Sequence, residues 1–411
     1  MLNDLKRIGL IFLTALILLA GSTAIPWAVK NIGAYEIARS LASCKALASD
    51  DEQVECIFHS IDSAIEKGNL KQGFSIFAGA YRNFTSFSST GCHRHAHRVG
   101  DSVYYRYYIL GHDTLDDIDF PQEATACGYG LFHGFLEHLI QDRPDPEFAM
   151  SVCEALDQKL SRTMKDIRVI CYHGTGHGYT LAHAENLPRA LWGNIQEFIT
   201  TPIAQCNGMT RASESEKEDC RQGVFNVIAD WMEEKNYGFS YNTDNPFAAC
   251  DALPSNIQYA CYYEMAQKIG GLVAAHNDPV ALSVVAAKAS TPEFATLAFS
   301  VGIAGMIQQT IAQGNGYEAV LDGCDTLSSD LFHTCLESIV WGLYEHGPPQ
   351  EEYKNVLSLC EESAVTRHEE ESFCYNKALA RLTRFYTSER IASVCEEFPK
   401  KYQPACKDTA K

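Results

Sequence analysis

Pro146-Glu-Phe-Ala-Met-Ser-Val-Cys153 and, after seventeen intervening residues, Cys171-Tyr-His-Gly-Thr-Gly-His-Gly-Tyr-Thr180 form two helix-period segments joined through a pair of cysteines. The first cysteine ends an apolar, helix-period segment and the second opens another. Breaker-rich polar turns lie between such segments elsewhere, as in Asp251-Ala-Leu-Pro-Ser-Asn256 and Asp325-Thr-Leu-Ser-Ser-Asp330. The rhythm recurs with 10–17 residues between partners. It pairs Cys44 with Cys56, Cys153 with Cys171, Cys206 with Cys220, Cys250 with Cys261, Cys324 with Cys335, Cys360 with Cys374, and Cys395 with Cys406. The spacing predicts a unit of helix, turn and helix, with a disulfide tying the first helix to the second. Closing a ~15-residue loop in this way contributes about 3 kcal/mol in the chain-entropy model.

The second-helix cysteines stand at 127, 171, 220, 261, 335 and 374, in steps of 44, 49, 41, 74 and 39. The long step hides a unit without cysteine. Phe299-Ser-Val-Gly302-Ile-Ala-Gly305 overlays Cys127-Gly-Tyr-Gly130-Leu-Phe-His133 and splits the gap into 38 and 36. A period near 40 with two helices per unit belongs to α-solenoids. The expected fold is therefore all-α, an α/α solenoid of about eight disulfide-stapled helix pairs, extended and without one large core. Its segments are 1–34 (membrane or signal segment), 35–84 (first helix pair), 85–200 (histidine-rich repeats) and 201–411 (disulfide-tied repeats). Cys92 and Cys127 fall outside the local rhythm, and elimination pairs them across two neighbouring units.

In architecture the chain resembles secreted helix-pair repeat proteins of the Sel1-like and tetratricopeptide kind. The resemblance covers most of the chain after residue 35. The repeat consensus of those families is absent, so it implies a helix-pair array and no activity.

Composition sets the compartment. Sixteen cysteines, an even number with no Cys-x-x-Cys pair, suit an oxidising exterior and disfavour a cysteine-ligated zinc knuckle. Lys6 and Arg7 precede an uncharged run from Ile8 to Val29. These 22 residues span ~33 Å, about one hydrocarbon core. Cleavage after Ala20-Gly21-Ser22 or Ser22-Thr23-Ala24 would release a secreted protein. The apolar run continues past both cuts, which favours a retained signal-anchor facing the periplasm or extracellular space. A net charge of −19 without a lysine-rich block argues against nucleic acid.

The histidines carry the chemistry. Nine of 14 lie between His93 and His183. Six candidate metal ligands form three pairs, His93 with His97, His133 with Glu137 and His173 with His177, each four residues apart. On a helix such residues share one face. His133 and His177 both stand six residues after a repeat cysteine, a rank that Asn226 and Trp341 occupy in later units. Ten residues after, the rank reads Glu137, Asp230 and Glu345. Adjacent helix axes ~8–10 Å apart let two inward imidazoles meet one ion at ~2.1 Å each. His95, about 200° round its helix from His93, is excluded, and His112, His138, His183 and His346 read as surface or supporting residues. The neighbouring glycines either bring helices close or open space for a ligand.

Imidazole-rich ligation suits Fe, Zn or Cu and excludes an oxygen-built calcium site. Six ligands exceed one tetrahedral zinc, leaving an octahedral iron or a two-metal centre with Glu137 as bridge or catalytic base. No His-Glu-x-x-His, P-loop, Rossmann or Ser-His-Asp elbow pattern occurs. Two functions fit: a metal-dependent enzyme, redox or hydrolytic, or a repeat scaffold that grips a protein or glycan on its C-terminal repeats. In the second, the histidines hydrogen-bond within the helix packing or hold a structural ion.

Overall fold

The computed structural model describes residues 37–409 except 85, 88–91, 110–114, 116–117, 119, 121–123, 125–126, 162–165, 243, 274–277 and 349. The N-terminal apolar run lies outside these residues. The chain is all-α, and no strand occurs among the described residues.

Helix pairs follow one another as the cysteines foretell. α1 (Asp50–Glu66) starts at a capping box, in which Ser49 and Glu52 satisfy each other's backbone N–H groups. α2 (Leu70–Asn83) leads to α3 (Cys92–Val103), which continues as a π-helical turn over Tyr104–Tyr108. Then come α4 (Gly130–Asp142), α5 (Pro146–Leu160), α6 (Ile167–Ala184), α7 (Ile195–Asn207), α8 (Glu214–Glu234) and α9 (Ser255–Val273). The C-terminal part adds α10 (Pro279–Ala286), α11 (Pro292–Ala312), α12 (Glu318–Cys324), α13 (Ser329–His346), α14 (Glu352–Cys360), α15 (Glu371–Phe385), α16 (Ser388–Val394) and α17 (Gln403–Thr409). Starts are written locally: Asp145 and Thr291 cap α5 and α11, each followed by proline at the first helical position.

All seven locally spaced disulfides form as read from the sequence. Cys44 is bonded to Cys56, Cys153 to Cys171, Cys206 to Cys220 and Cys250 to Cys261. Further on, Cys324 is bonded to Cys335, Cys360 to Cys374 and Cys395 to Cys406. Cys127 is also disulfide-bonded; its expected partner, the Cys92 side chain, lies outside the described residues. In one unit the first cysteine does not close its helix, because α5 runs on from Cys153 to Leu160. The cysteine-free unit exists as inferred and consists of α10 and α11. α11 alone among the described helices is long and apolar enough to cross a membrane, yet over half of its apolar window is buried. It packs between α9 and α13 as a core helix.

The second helices of successive units, α3, α4, α6, α8, α9, α11, α13 and α15, each pack on the next. The array is not extended. The Tyr81 hydroxyl on α2 donates to the His346 carbonyl at the end of α13, 3.2 Å away and 265 residues distant in sequence. Tyr129, just before α4, donates to the Arg384 carbonyl on α15 (3.2 Å). The Arg384 guanidinium reaches Asp166 (3.1 Å) and Glu345 (3.4 Å). The series thus curls until its end meets its beginning, and the buried apolar side chains form one continuous core. Residue types, not local periodicity, set this closure: an open array presents no such seam. The inner helices border a partly open cavity of about 680 Å³.

Candidate metal centre

All six sequence-predicted ligands line this cavity or border it, on three consecutive inner helices. His93 and His97 come from α3, His133 and Glu137 from α4, and His173 and His177 from α6. Close backbone approach brings them together. A Cβ on Gly134 would sit 2.2 Å from the His97 carbonyl oxygen, and one on Gly223 only 1.9 Å from that of His173. Only glycine permits such contact between neighbouring helices. Of the two roles open to these glycines, the structure gives them close packing.

His133 is the hub. Its ring centroid lies 4.9 Å from that of His173, 5.2 Å from His93, 5.3 Å from His177 and 6.3 Å from His97. Two overlapping ligand groups result. In one, His133, His173 and His177 each place a ring nitrogen within 4.8 Å of the others; in the second, a ring nitrogen of His97, a carboxylate oxygen of Glu137 and a ring nitrogen of His177 lie within the same distance of one another. His177, 3% exposed, belongs to both. Its Nδ1 faces Glu137 Oε2 at 3.4 Å, whereas its buried Nε2 has no hydrogen-bond partner. A buried polar atom without a partner costs about 1–3 kcal/mol, so this nitrogen is set for a ligand of its own.

Protonation favours metal binding. Burial, and then the neighbouring His97, push His93 down to about 3 despite the bond to the Cys127 carbonyl. Burial and the surrounding imidazoles likewise hold His133 and His173 well below the usual histidine range. Their lone pairs are free at neutral pH. Burial opposes the charge of Glu137, but His177, His97 and His138 outweigh it and hold the carboxyl below its ordinary value.

Supporting residues fix the rings. His93 Nδ1 donates to the Cys127 carbonyl (2.9 Å), which leaves Nε2 facing His133 Nδ1 at 3.4 Å. That carbonyl belongs to three successive residues with left-handed backbone, Cys127, Gly128 and Tyr129. Such strain persists where surrounding structure demands it. Here it aims one oxygen at His93. His97 lies between Glu137 Oε2 (3.5 Å) and Asp101 Oδ1 (4.0 Å), and His138 Nε2 holds Asp101 at 3.2 Å. The Tyr105 hydroxyl meets His138 Nδ1 at 3.2 Å, which gives one tyrosine of the π-turn a place behind the centre.

The histidines left off the ranks take core, peripheral or supporting places among the described residues, and His112 lies outside these. His95 is buried in the core and stacks on Phe87, with centroids 3.9 Å apart. His183 donates to the Glu197 carbonyl at the exposed periphery. His346, read as surface or supporting, is instead buried and lines the cavity at the closing seam.

Residues 201–411, expected as disulfide-tied repeats, supply the facing half of the cavity wall from their inner helices. Asn226, Asp230, Glu264 and Lys268 come from α8 and α9, and Trp341 and Glu345 from α13. The ranks six and ten residues after each repeat cysteine carried the signal, and extend to Gln267 and Gln309. Comparison with protein-family models, curated proteins and solved structures finds no match to this chain.

Proposed function

We propose that the chain is an extracytoplasmic metalloenzyme, hydrolytic in type, whose His/Glu centre opens onto a substrate cavity. An oxidising compartment accounts for the seven locally spaced disulfides among the described residues. The apolar run from Ile8 to Val29 then anchors it to the membrane. The reading rests on one observation above all: His177 presents an orphaned buried Nε2 beside His133 and His173 while its Nδ1 faces a carboxylate. Metal-bound histidines are typically oriented by such an outer carboxylate.

His133, His173 and His177 form the primary ligand set, and Glu137 orients His177. A transition ion bound there, Zn, Fe or Cu by ligand type, supplies Lewis acidity and an acidified water. Glu137, held below the ordinary carboxyl range and only partly buried, would accept a proton. His97, between Glu137 and Asp101, passes it on. His93, held by Cys127, completes the wall. The hydrolytic form is favoured over the redox form because a carboxylate held below its ordinary range stands 3.4 Å from His177 Nδ1 and 3.5 Å from His97 Nε2, a base placed beside candidate ligands as general-base hydrolysis requires.

Elemental analysis of the purified protein tests this. Wild type should retain a transition ion, His177→Ala should lower bound metal at least tenfold, and His183→Ala should leave it unchanged. Equal metal in wild type and the His177 variant, at the same folded fraction by circular dichroism, refutes the centre.

A further inference from the structure

Across the cavity from the histidines stands a wall of different chemistry. Gln222 and Asn226 on α8, Gln267 on α9, and Gln308 and Gln309 on α11 all line it. Four of these five carboxamides, the glutamines, make no side-chain hydrogen bond to the described residues. Glu264, 1% exposed, accepts from Asn226 Nδ2 through one oxygen (2.6 Å), and its other oxygen has no partner. Beside this array the rings of Tyr263 and Trp341 lie 5.9 Å apart, and both residues line the cavity.

Each carboxamide offers donors and an acceptor on one planar group. Several in a row, left open by the protein, match a ligand whose groups each donate and accept. Apolar side chains on the lining are few, Val169 and Ile170 with small alanines, so subpockets for apolar side chains of a peptide are lacking. Aromatic rings beside hydrogen-bonding planes provide a flat apolar face for a ring that is polar at its rim. The volume of about 680 Å³ falls within the usual span of small-ligand sites.

We propose that the α8–α9–α11 wall is a carbohydrate subsite, in which Gln308, Gln309, Gln222 and Glu264 hold sugar hydroxyls and present the ligand to the histidine centre. This rests on the cavity being a substrate chamber, as proposed above. The subsite itself needs no metal. Burial pushes the Glu264 carboxyl up to about 8, so near neutral pH it is largely protonated and donates as well as accepts.

The full chain, stripped of metal with a chelator, should be applied to an array of neutral, amino and acidic oligosaccharides, and the best binder titrated by calorimetry. Binding should survive metal removal, which separates this test from that of the metal centre. The double variant Gln308→Ala/Gln309→Ala should weaken binding at least tenfold, Gln222→Ala severalfold, and Val284→Ser, on the exposed outer face of α10, not at all. Gln222→Ala serves as the second probe should the double variant melt early. No binding to any sugar, unchanged affinity in the glutamine variants, or displacement of the sugar by short peptides such as trialanine overturns the proposal.

Discussion

Glu264 is a buried carboxyl on the cavity wall and Glu137 a half-buried one beside the cavity-lining His97 and His177, and their surroundings push their protonation in opposite directions. Histidines keep Glu137 ionised, while burial keeps Glu264 protonated to about 8. Pairs driven apart in this way divide acid and base roles between them. Glu137→Gln should keep the shape and lose the charge that orients His177, lowering metal affinity about 10–100-fold by equilibrium dialysis. The Glu264 prediction is one of stability. Its folded value lies above the unfolded 4.5, so its contribution is fully present below pH 4.5 and is lost as pH rises through about 8. Glu264→Gln removes that loss and can still accept from Asn226. Measured by urea unfolding, its stability relative to wild type should climb from pH 4.5 to 8, by up to roughly 1.4 kcal/mol per pH unit. A flat difference would mean that Glu264 is ionised in the folded protein.

At the scale of elements, the glycine contacts set the spacing between inner helices. Gly176 and Gly223 meet across α6 and α8, where added Cβ atoms would fall 2.1 Å from the Cys220 carbonyl oxygen and 1.9 Å from that of His173. Gly223→Ala should therefore cost about 1–3 kcal/mol in thermal unfolding, as an overpacked core does. By parting α6 from its neighbour it should weaken metal retention without touching a ligand. Much of this level was legible in the sequence. Cysteine spacing placed each turn, and one fixed offset from each cysteine placed His133 and His177 on the same face. The same offset named Asn226 and Trp341, but nothing local told that their helices face the histidines. That relation depends on contacts spanning 255 and 265 residues, at Tyr129 and Tyr81. The orphaned nitrogen of His177 was likewise invisible, since burial by neighbouring helices creates it.

For the whole molecule, the seam decides whether a cavity exists. Arg384 joins α15 to Asp166, to Glu345 and, through its carbonyl, to Tyr129. Arg384→Met should raise amide hydrogen exchange at the start of α4 and along α15 by about tenfold, while α8 and α9 stay protected. Equal protection everywhere would show that apolar packing alone closes the ring. Closure also bears on descent. An open helical-repeat array can gain or lose a unit by duplication or deletion, because each unit needs only its neighbours. In a closed ring one unit more or fewer leaves Tyr81 and Tyr129 without their partners and carries the facing wall out of reach of the histidines. Inserting or deleting one whole unit should therefore open the ring, whereas lengthening a loop on its outer rim should leave it closed.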